Sequence, residues 1–460
     1  MKKKRTYRTE HVEQVRVIEL LPALAAGCIV ALDVAKAKFV VALATLSGEV
    51  VKLFRFEHPT ESRIFLSLVD ALRGHVEPGK LRAAMEPTGT YGDAIRHQLG
   101  AMGVPVCMVS PKKTHDSREV FDGVPSMHDP KSAVLIAKLC SMDLSSQWLP
   151  RSDALTRVRA LVDQRHHACE QRERCFGRLE GLLSRHWPEF FQWMDLRLQR
   201  TAPRLLMTFP GPARVHAEPE RVAALLRASS CGRLSKQAID GVLEGAAATL
   251  GVPMLEEQSS FLMSLAEQVD AATDAIEKLD HELAAVGKHD EVFVRLAAWM
   301  GPYTAAVIVT KCDLRRYTSA RQLEKACGLN LREKSSGEDK GRLSITKRGP
   351  SLVRKVLFMF ALRMIYRSHV VRAWYMRRRG YTEQVKQRAV VAVMRKLVRA
   401  ILPVASGAPF DEGKLFDLRR LDLEATPPSP KQVTFESRTV RRSIARGNKR
   451  GGASAAAAST

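Results

Sequence analysis

The order of the short apolar runs between residues 28 and 109 constrains the fold of this chain more than any other feature. Three runs, 28–32, 39–44 and 50–56, are separated only by a small and polar stretch at 35–38 and by Gly48, the spacing of strands joined by tight turns. A helical period follows over about 61–73, then an apolar run at 81–85, a second helical period over about 91–102 and a last run at 104–109. A meander of three strands followed by alternating helix and strand builds one sheet with helices packed on it, an α/β unit.

That unit accounts for a quarter of the chain. At 460 residues the sequence is too long for one core, and roughly 100 to 200 residues per domain divides it into about two to four units. After residue 150 the texture changes to long periodic segments of charged and apolar residues at 155–186 and 255–286, separated by a loop-rich insert bearing Pro203, Pro210 and Pro212. This predicts an antiparallel helical hairpin, either a spacer or a coiled coil that joins subunits, although its heptads are imperfect. From Val292 onward the chain reads as compact and helical, and the stretch from about 405 is rich in small and basic residues and reads as a tail without fixed structure. The expected organisation is a basic arm over 1–26, an α/β domain over 27–150, a helical hairpin with its insert over 151–290, a mainly α domain over 291–402 and a flexible basic tail over 403–460.

Charge narrows the function. The formal net charge is +24 with a pI near 10, an excess that calls for an anionic partner, and cations spread over long folded stretches suit a phosphate backbone. Between Arg342 and Arg399 sixteen Lys or Arg residues stand against the single acid Glu383, with apolar residues interleaved at helical spacing. A membrane is the weaker partner, because the main uncharged stretches, 20–32, 97–111 and 296–310, are each too short to span a bilayer and each contain a proline. Glu10, Glu13 and Glu19 interrupt any apolar core that a secretion signal beginning MKKKR would need. Eight cysteines without a CxxC pair point to reduced thiols in a cytosol. His166, His167, Cys169 and Cys175 cluster, but on one helix without a second convergent pair they lack zinc-ligand spacing. No GxxxxGK loop is present, so the chemistry is expected to run without bound ATP.

Three acids stand where such chemistry needs them. Asp33 ends an apolar run, and a carboxylate there requires compensation, from a bound cation or, in the bland reading, from solvent or Lys36. Glu86 closes the 81–85 run just before Pro87-Thr88-Gly89, at the carboxyl edge where open α/β sheets place ligands, although acids at strand ends are often turn residues. Asp129 precedes Pro130, an ordinary helix-capping arrangement, and shares a side of the following helix with Ser132. Together the three would bring carboxylates from two strand ends and one helix to a hard divalent cation such as Mg²⁺ or Mn²⁺.

The ordered runs ALDVAKAKF, EPTGTYG and FDGVPSMHDPKSAVLIAKL resemble the three blocks of the RuvC-like DEDD domain in the one-ten family of insertion-sequence transposases. The strand order above is also that of the ribonuclease-H fold. The resemblance implies that Asp33, Glu86 and Asp129 occupy the first three acidic positions of a metal site. The family places a second aspartate three residues after the third acid, and here that position holds Ser132, a neutral and weaker oxygen ligand. Asp122 or Asp116 is a candidate replacement.

A second resemblance lies further on. The segment containing Gly301-Pro302-Tyr303-Thr304 reads as helix, glycine turn, helix, and the run through Tyr317, 320–327 and the polar loop Arg332-Glu333-Lys334-Ser335-Ser336-Gly337 is similar to the family's C-terminal transposase domain. That likeness makes the serine before glycine, Ser336, the expected nucleophile, with Ser335 as the competing assignment. A serine hydroxyl needs activation and surrounding positive charge to attack a phosphate, and Arg332, Lys347, Arg348 and Arg354 are placed in sequence to supply that charge. The family likeness further implies donor and target DNA as substrates, a noncoding bridge RNA that pairs with both, and a composite site in a homodimer or homotetramer. Two other readings remain: a RuvC-like nuclease in which metal-bound water attacks, and a catalytically impaired nucleic-acid binder, which Ser132 favours.

Overall fold

The computed structural model describes residues 7–87, 89–336, 339–379, 383–424 and 426. They form two compact units, residues 1–151 and 152–460.

The first unit is built on a seven-stranded mixed sheet. In chain order its elements are β1 (Glu10–His11), α1 (Val17–Leu24), β2 (Cys28–Asp33), β3 (Lys38–Ala44), β4 (Val50–Glu57), α2 (Ser62–His75), β5 (Leu81–Met85), α3 (Asp93–Ala101), β6 (Val106–Val109), α4 (Pro111–Asp116), α5 (Asp129–Ser141) and β7 (Ser145–Gln147). The spatial order is β1-β4-β3-β2-β5-β6-β7. The meander pairs antiparallel, whereas β2 to β5 and β5 to β6 pair parallel. The α/β reading and its element order therefore hold, with boundaries within two residues. The expected basic arm does not stay apart. Residues 10–24 add β1 parallel to β4 and lay α1 against the sheet, because Val12, Leu20 and Leu24 are apolar enough to be buried there.

Strand alternation divides the sheet's side chains between two faces. Cys28, Val30, Leu32, Leu81, Ala83 and Met85 join Phe39, Phe54, Phe56 and Phe65 in the core beneath α2 and α3. On the other face Ile29, Ala31, Ala42, Ala44 and Ala84 meet Ala133, Ile136, Ala137 and Cys140 of α5. Alanines on both sides of that contact let the helix lie close to the strands. By the same alternation the residues after Leu32 and Met85, Asp33 and Glu86, fall on the α5 face.

The second unit begins with a long antiparallel pair, α6 (Asp153–His186) and α12 (Glu256–Gly287), as the two periodic segments predict. Val158, Val162, Phe176, Leu179 and Leu183 of α6 and Leu262, Leu265, Val269, Ile276 and Leu283 of α12 are buried at three- and four-residue spacing. The heptads break at Arg165 for a reason. Its Nε and Nη2 donate to the two carboxylate oxygens of Asp280 at 2.6 and 2.9 Å, and its guanidinium lies 3.6 Å from the centre of the Tyr303 ring. The insert is not loop-rich. It folds into α7 (Phe190–Trp193), α8 (Thr201–Thr208), α9 (Pro212–Ala217), α10 (Pro219–Ser229) and α11 (Lys236–Ala247), with Pro203 and Pro212 in first turns that tolerate them and Pro210 in the link between α8 and α9. Fully buried Trp187 and Phe190 centre a core of its own.

Beyond it run α13 (Glu291–Met300), α14 (Pro302–Lys311), α15 (Ala320–Ala326), β8 (Leu331–Ser336), β9 (Asp339–Ile345), α16 (Ser351–Arg367), α17 (His369–Arg378), α18 (Glu383–Ala405) and α19 (Glu412–Leu415). Gly301, at φ 85°, turns α13 into α14, whose residues 304–310 are all buried. The buried carboxylate of Glu324 takes the Arg395 Nε at 2.7 Å and ties α15 to α18. The first part of the expected tail is folded: residues 403–405 complete α18, Phe410 stacks on Trp299 at 4.5 Å and Phe416 is fully buried against Trp374. Residues 427–460 of that tail lie outside the described residues. Among the described residues no helix is long and apolar enough to cross a membrane.

Candidate active site

Two centres named from the sequence lie in different units. In the first unit the register of β2 against β5 pairs Leu32 with Met85, so the next residues, Asp33 and Glu86, leave neighbouring parallel strands side by side at their carboxyl ends. The same alternation that places them on the α5 face brings them to the first turn of that helix. Asp129 is its first residue. The cap itself is His128, whose Nδ1 accepts the Lys131 N–H at 3.3 Å, and this frees the Asp129 carboxylate from the capping role its sequence position suggests.

The three acids feel one another. Burial pushes the Asp33 carboxyl up to about 7, and the negative charges of Asp129 and then Glu86 push in the same direction against one stabilising N–H from Val34. Lys36 is exposed and makes no ion pair with Asp33 among the described residues, nor does any Lys, Arg or His pair there with Glu86 or Asp129. In a chain this rich in cations, three half-buried or exposed carboxylates gathered without one are conspicuous by their chemistry: hard oxygen donors with uncompensated charge suit a hard divalent cation. Among the described residues no three His, Cys, Asp or Glu side chains close to ligand distance around one point, so the acids form a neighbourhood rather than a finished cage.

Ser132 lies one turn beyond Asp129, half-buried on α5. Neither candidate replacement for its missing charge is free. Asp116 is held by the Lys112 Nζ at 2.6 Å. Asp122 accepts from the Lys131 Nζ at 2.8 Å, from the Tyr7 hydroxyl at 2.6 Å and from the Val124 N–H at 3.0 Å, which hold its carboxyl well below the ordinary range. Sequence reasoning missed Lys131. The available signal was a lysine inside the apolar stripe of a helix, and only 2% of its side chain reaches solvent.

In the second unit, the segment read as a polar loop is a β-hairpin. Leu331 pairs with Ile345, Arg332 with Ser344 and Lys334 with Arg342, and the register then slips so that Ser336 pairs with Asp339. Ser335 lies at that slip and Ser336 is the last residue of β8; their side chains, and Gly337, lie outside the described residues. Arg332, Lys347 and Arg348 are exposed. The last two sit on a tight return from β9 to α16. Lys347 has φ 55° and donates its N–H to the Gly328 carbonyl at 2.9 Å, while Thr346 bonds Asn330 through both backbone and hydroxyl. A Cβ on Gly328, itself at φ 70°, would meet the Arg348 nitrogen at 2.7 Å and its oxygen at 2.8 Å. Arg354 does not project freely: its Nη1 donates to the Gly349 carbonyl at 2.7 Å and braces this return.

Family models give the class of protein. Residues 30–188 match a family model described as a transposase, and residues 300–376 match the transposase IS116/IS110/IS902 family, together just over half of the chain. The chain belongs to the IS110 family of transposases. No curated protein matches it.

Proposed function

We propose that this transposase cuts and rejoins DNA through a covalent phosphoserine at Ser336, assisted by a divalent metal ion, Mg²⁺ or Mn²⁺, held by Asp33, Glu86 and Asp129, with Ser132 as a weaker fourth oxygen. The observation that carries the metal half is the gathering of those three carboxylates on the α5 face with no cationic partner among the described residues. The serine half rests on the place of Ser336 in the family's C-terminal pattern. A bound dication would supply Lewis-acid polarisation of the scissile phosphate.

The serine hydroxyl attacks phosphorus, the bond from phosphorus to one deoxyribose oxygen breaks, and that oxygen leaves with a proton while the serine loses its own. The phosphoserine keeps the energy of the broken phosphodiester, so a deoxyribose hydroxyl of another strand reverses the step without ATP. Arg332, Lys347 and Arg348 face solvent on the hairpin and the return behind it, where they can hold phosphate oxygens, and Arg354 fixes that return. The reading extends, on the family's pattern, to donor and target DNA addressed by a bridge RNA and to a site completed between subunits of a dimer or tetramer.

Incubating the protein with end-labelled donor DNA and Mg²⁺, then digesting the trapped adduct, is expected to yield a phosphoserine peptide containing Ser336. Ser336→Ala should abolish adduct and strand exchange. Hydrolysed ends with no adduct would establish instead a nuclease using water. Ser132 favours one further reading, an impaired derivative, in which Ser132→Asp would create strand exchange that the natural chain lacks.

A further inference from the structure

We infer that Tyr7, Asp122 and Lys131 are positioning residues that lock the first turn of α5 and thereby hold Asp129 at the acidic site. The inference rests on the metal-site reading above and concerns three residues to which neither that reading nor the family's acidic pattern gives a role.

The contacts form a closed circuit. The Lys131 Nζ donates to Asp122 Oδ1 at 2.8 Å and to the Val124 carbonyl at 2.6 Å. Asp122 Oδ2 accepts the Tyr7 hydroxyl at 2.6 Å, and Oδ1 also accepts the Val124 N–H at 3.0 Å. The Tyr7 ring meets the His128 imidazole edge-on at 4.8 Å, and His128 in turn accepts the backbone N–H of Lys131. Asp129 lies inside this ring of contacts, between the cap that the tyrosine braces and the lysine that the aspartate holds, yet it bonds none of them among the described residues. The segment at the start of the chain that carries Tyr7, the loop over 117–128 and the helix are thus fastened at one point, beside one of the three acids.

An exposed Lys–Asp pair would carry little weight, because such pairs are screened and mobile. Here the ammonium is buried, and removing either it or the Asp122 carboxylate would leave the other's charge poorly compensated. Groups that orient ligands from behind in this way commonly change metal affinity by about 10- to 100-fold when altered. The circuit also explains why Asp122 does not substitute for the missing acid at 132: its lone pairs already serve the lock.

Mn²⁺ binding to the full chain, followed by electron paramagnetic resonance, tests the inference alongside thermal melts in chelator. Lys131→Met is expected to weaken Mn²⁺ binding about 10-fold or more. Tyr7→Phe, which removes one hydroxyl and keeps the ring on His128, should weaken it severalfold with an unchanged melt in chelator, a combination that a general loss of folding would not produce. Asp33→Ala serves as the reference for the site itself. If Asp33→Ala abolishes binding while Tyr7→Phe and Lys131→Met bind as the wild type does, the positioning role is overturned and the metal site stands. If the wild-type chain binds no Mn²⁺, both fall.

Discussion

Replacing Asp33 by asparagine should stabilise the metal-free protein at alkaline pH and leave it unchanged under mild acid, the reverse of what loss of a paired aspartate would do. The Asp33 carboxyl is raised from the ordinary carboxylate range to about 7 by burial and by Asp129 and Glu86. The folded chain therefore holds a proton there that the unfolded chain releases near pH 4, and stability falls as pH climbs from about 4 to about 7, with the whole penalty present above. A three-decade gain in proton affinity at 1.36 kcal/mol per decade sets a ceiling of about 4 kcal/mol. The side chain is only partly shielded, so solvent screening reduces this to about 2 kcal/mol. For a unit the size of residues 1–151, that is about 4–8 °C in Tm. Differential scanning fluorimetry of both proteins in chelator at pH 4 and pH 8 reads the difference: near zero at pH 4, several degrees in favour of the Asp33→Asn variant at pH 8. Millimolar Mg²⁺ or Mn²⁺ should then raise the wild-type Tm and reverse the ranking. A variant that melts lower than wild type at pH 8 in chelator, or by the same margin at both pH values, would refute the claim that burial and the neighbouring acids hold a proton on Asp33.

The remaining expectations concern the second unit and the site's charge. Gly328→Ala should destabilise by about 1–3 kcal/mol through its left-handed backbone and the collision with Arg348, seen as a lower denaturation midpoint together with weakened DNA binding. Arg348→Ala should reduce DNA affinity evenly across sequences and lower the slope of log K against log salt by about one, measured by fluorescence anisotropy; a sequence-selective loss would mean base contact instead. Trp187→Ala should cost about 3–5 kcal/mol and loosen the insert first, visible as faster hydrogen exchange over residues 190–247 than over the C-terminal helices. Arg165→Leu leaves Asp280 unpaired and Tyr303 uncovered, and is expected to lower stability by about 1–3 kcal/mol, with Arg165→Lys recovering only part because one ammonium cannot bond both carboxylate oxygens.

Much of this arrangement is readable from residue order, and the failures have definite causes. The strands at 28–33, 38–44, 50–57 and 81–85 announce themselves because their interior faces are nearly all apolar. The gathering of Asp33 and Glu86 follows from parallel neighbours in register, something alternation predicts once strand adjacency is known. The hairpin from Leu331 to Ile345 gives no such signal, because both strands are largely polar in sequence and Leu331 and Leu343 are exposed. The insert passes for loops when proline is read only as a breaker, whereas Pro203 and Pro212 sit where a helix lacks an internal donor bond anyway. Lys131 stands in the apolar stripe of its helix, but that position alone does not reveal its partners, because its burial depends on Asp122 in the preceding loop and on Tyr7 far back along the chain. Charge alone misjudges the basic arm and tail, since it hides the few apolar residues, Val12, Leu24 and Phe416, that anchor them.

The seat of α5 has a consequence for how this transposase can vary. Because Ala31, Ala42 and Ala84 share one core with Ala133 and Ala137, methyl groups make up much of the contact between the helix and the strands. One extra carbon at any of these places would tilt its beginning away from the strand ends and spread the acids apart, with no change to an acid itself. Drift among plain alanines would therefore act on cation binding, and sequence surveillance of the charged positions alone would overlook it.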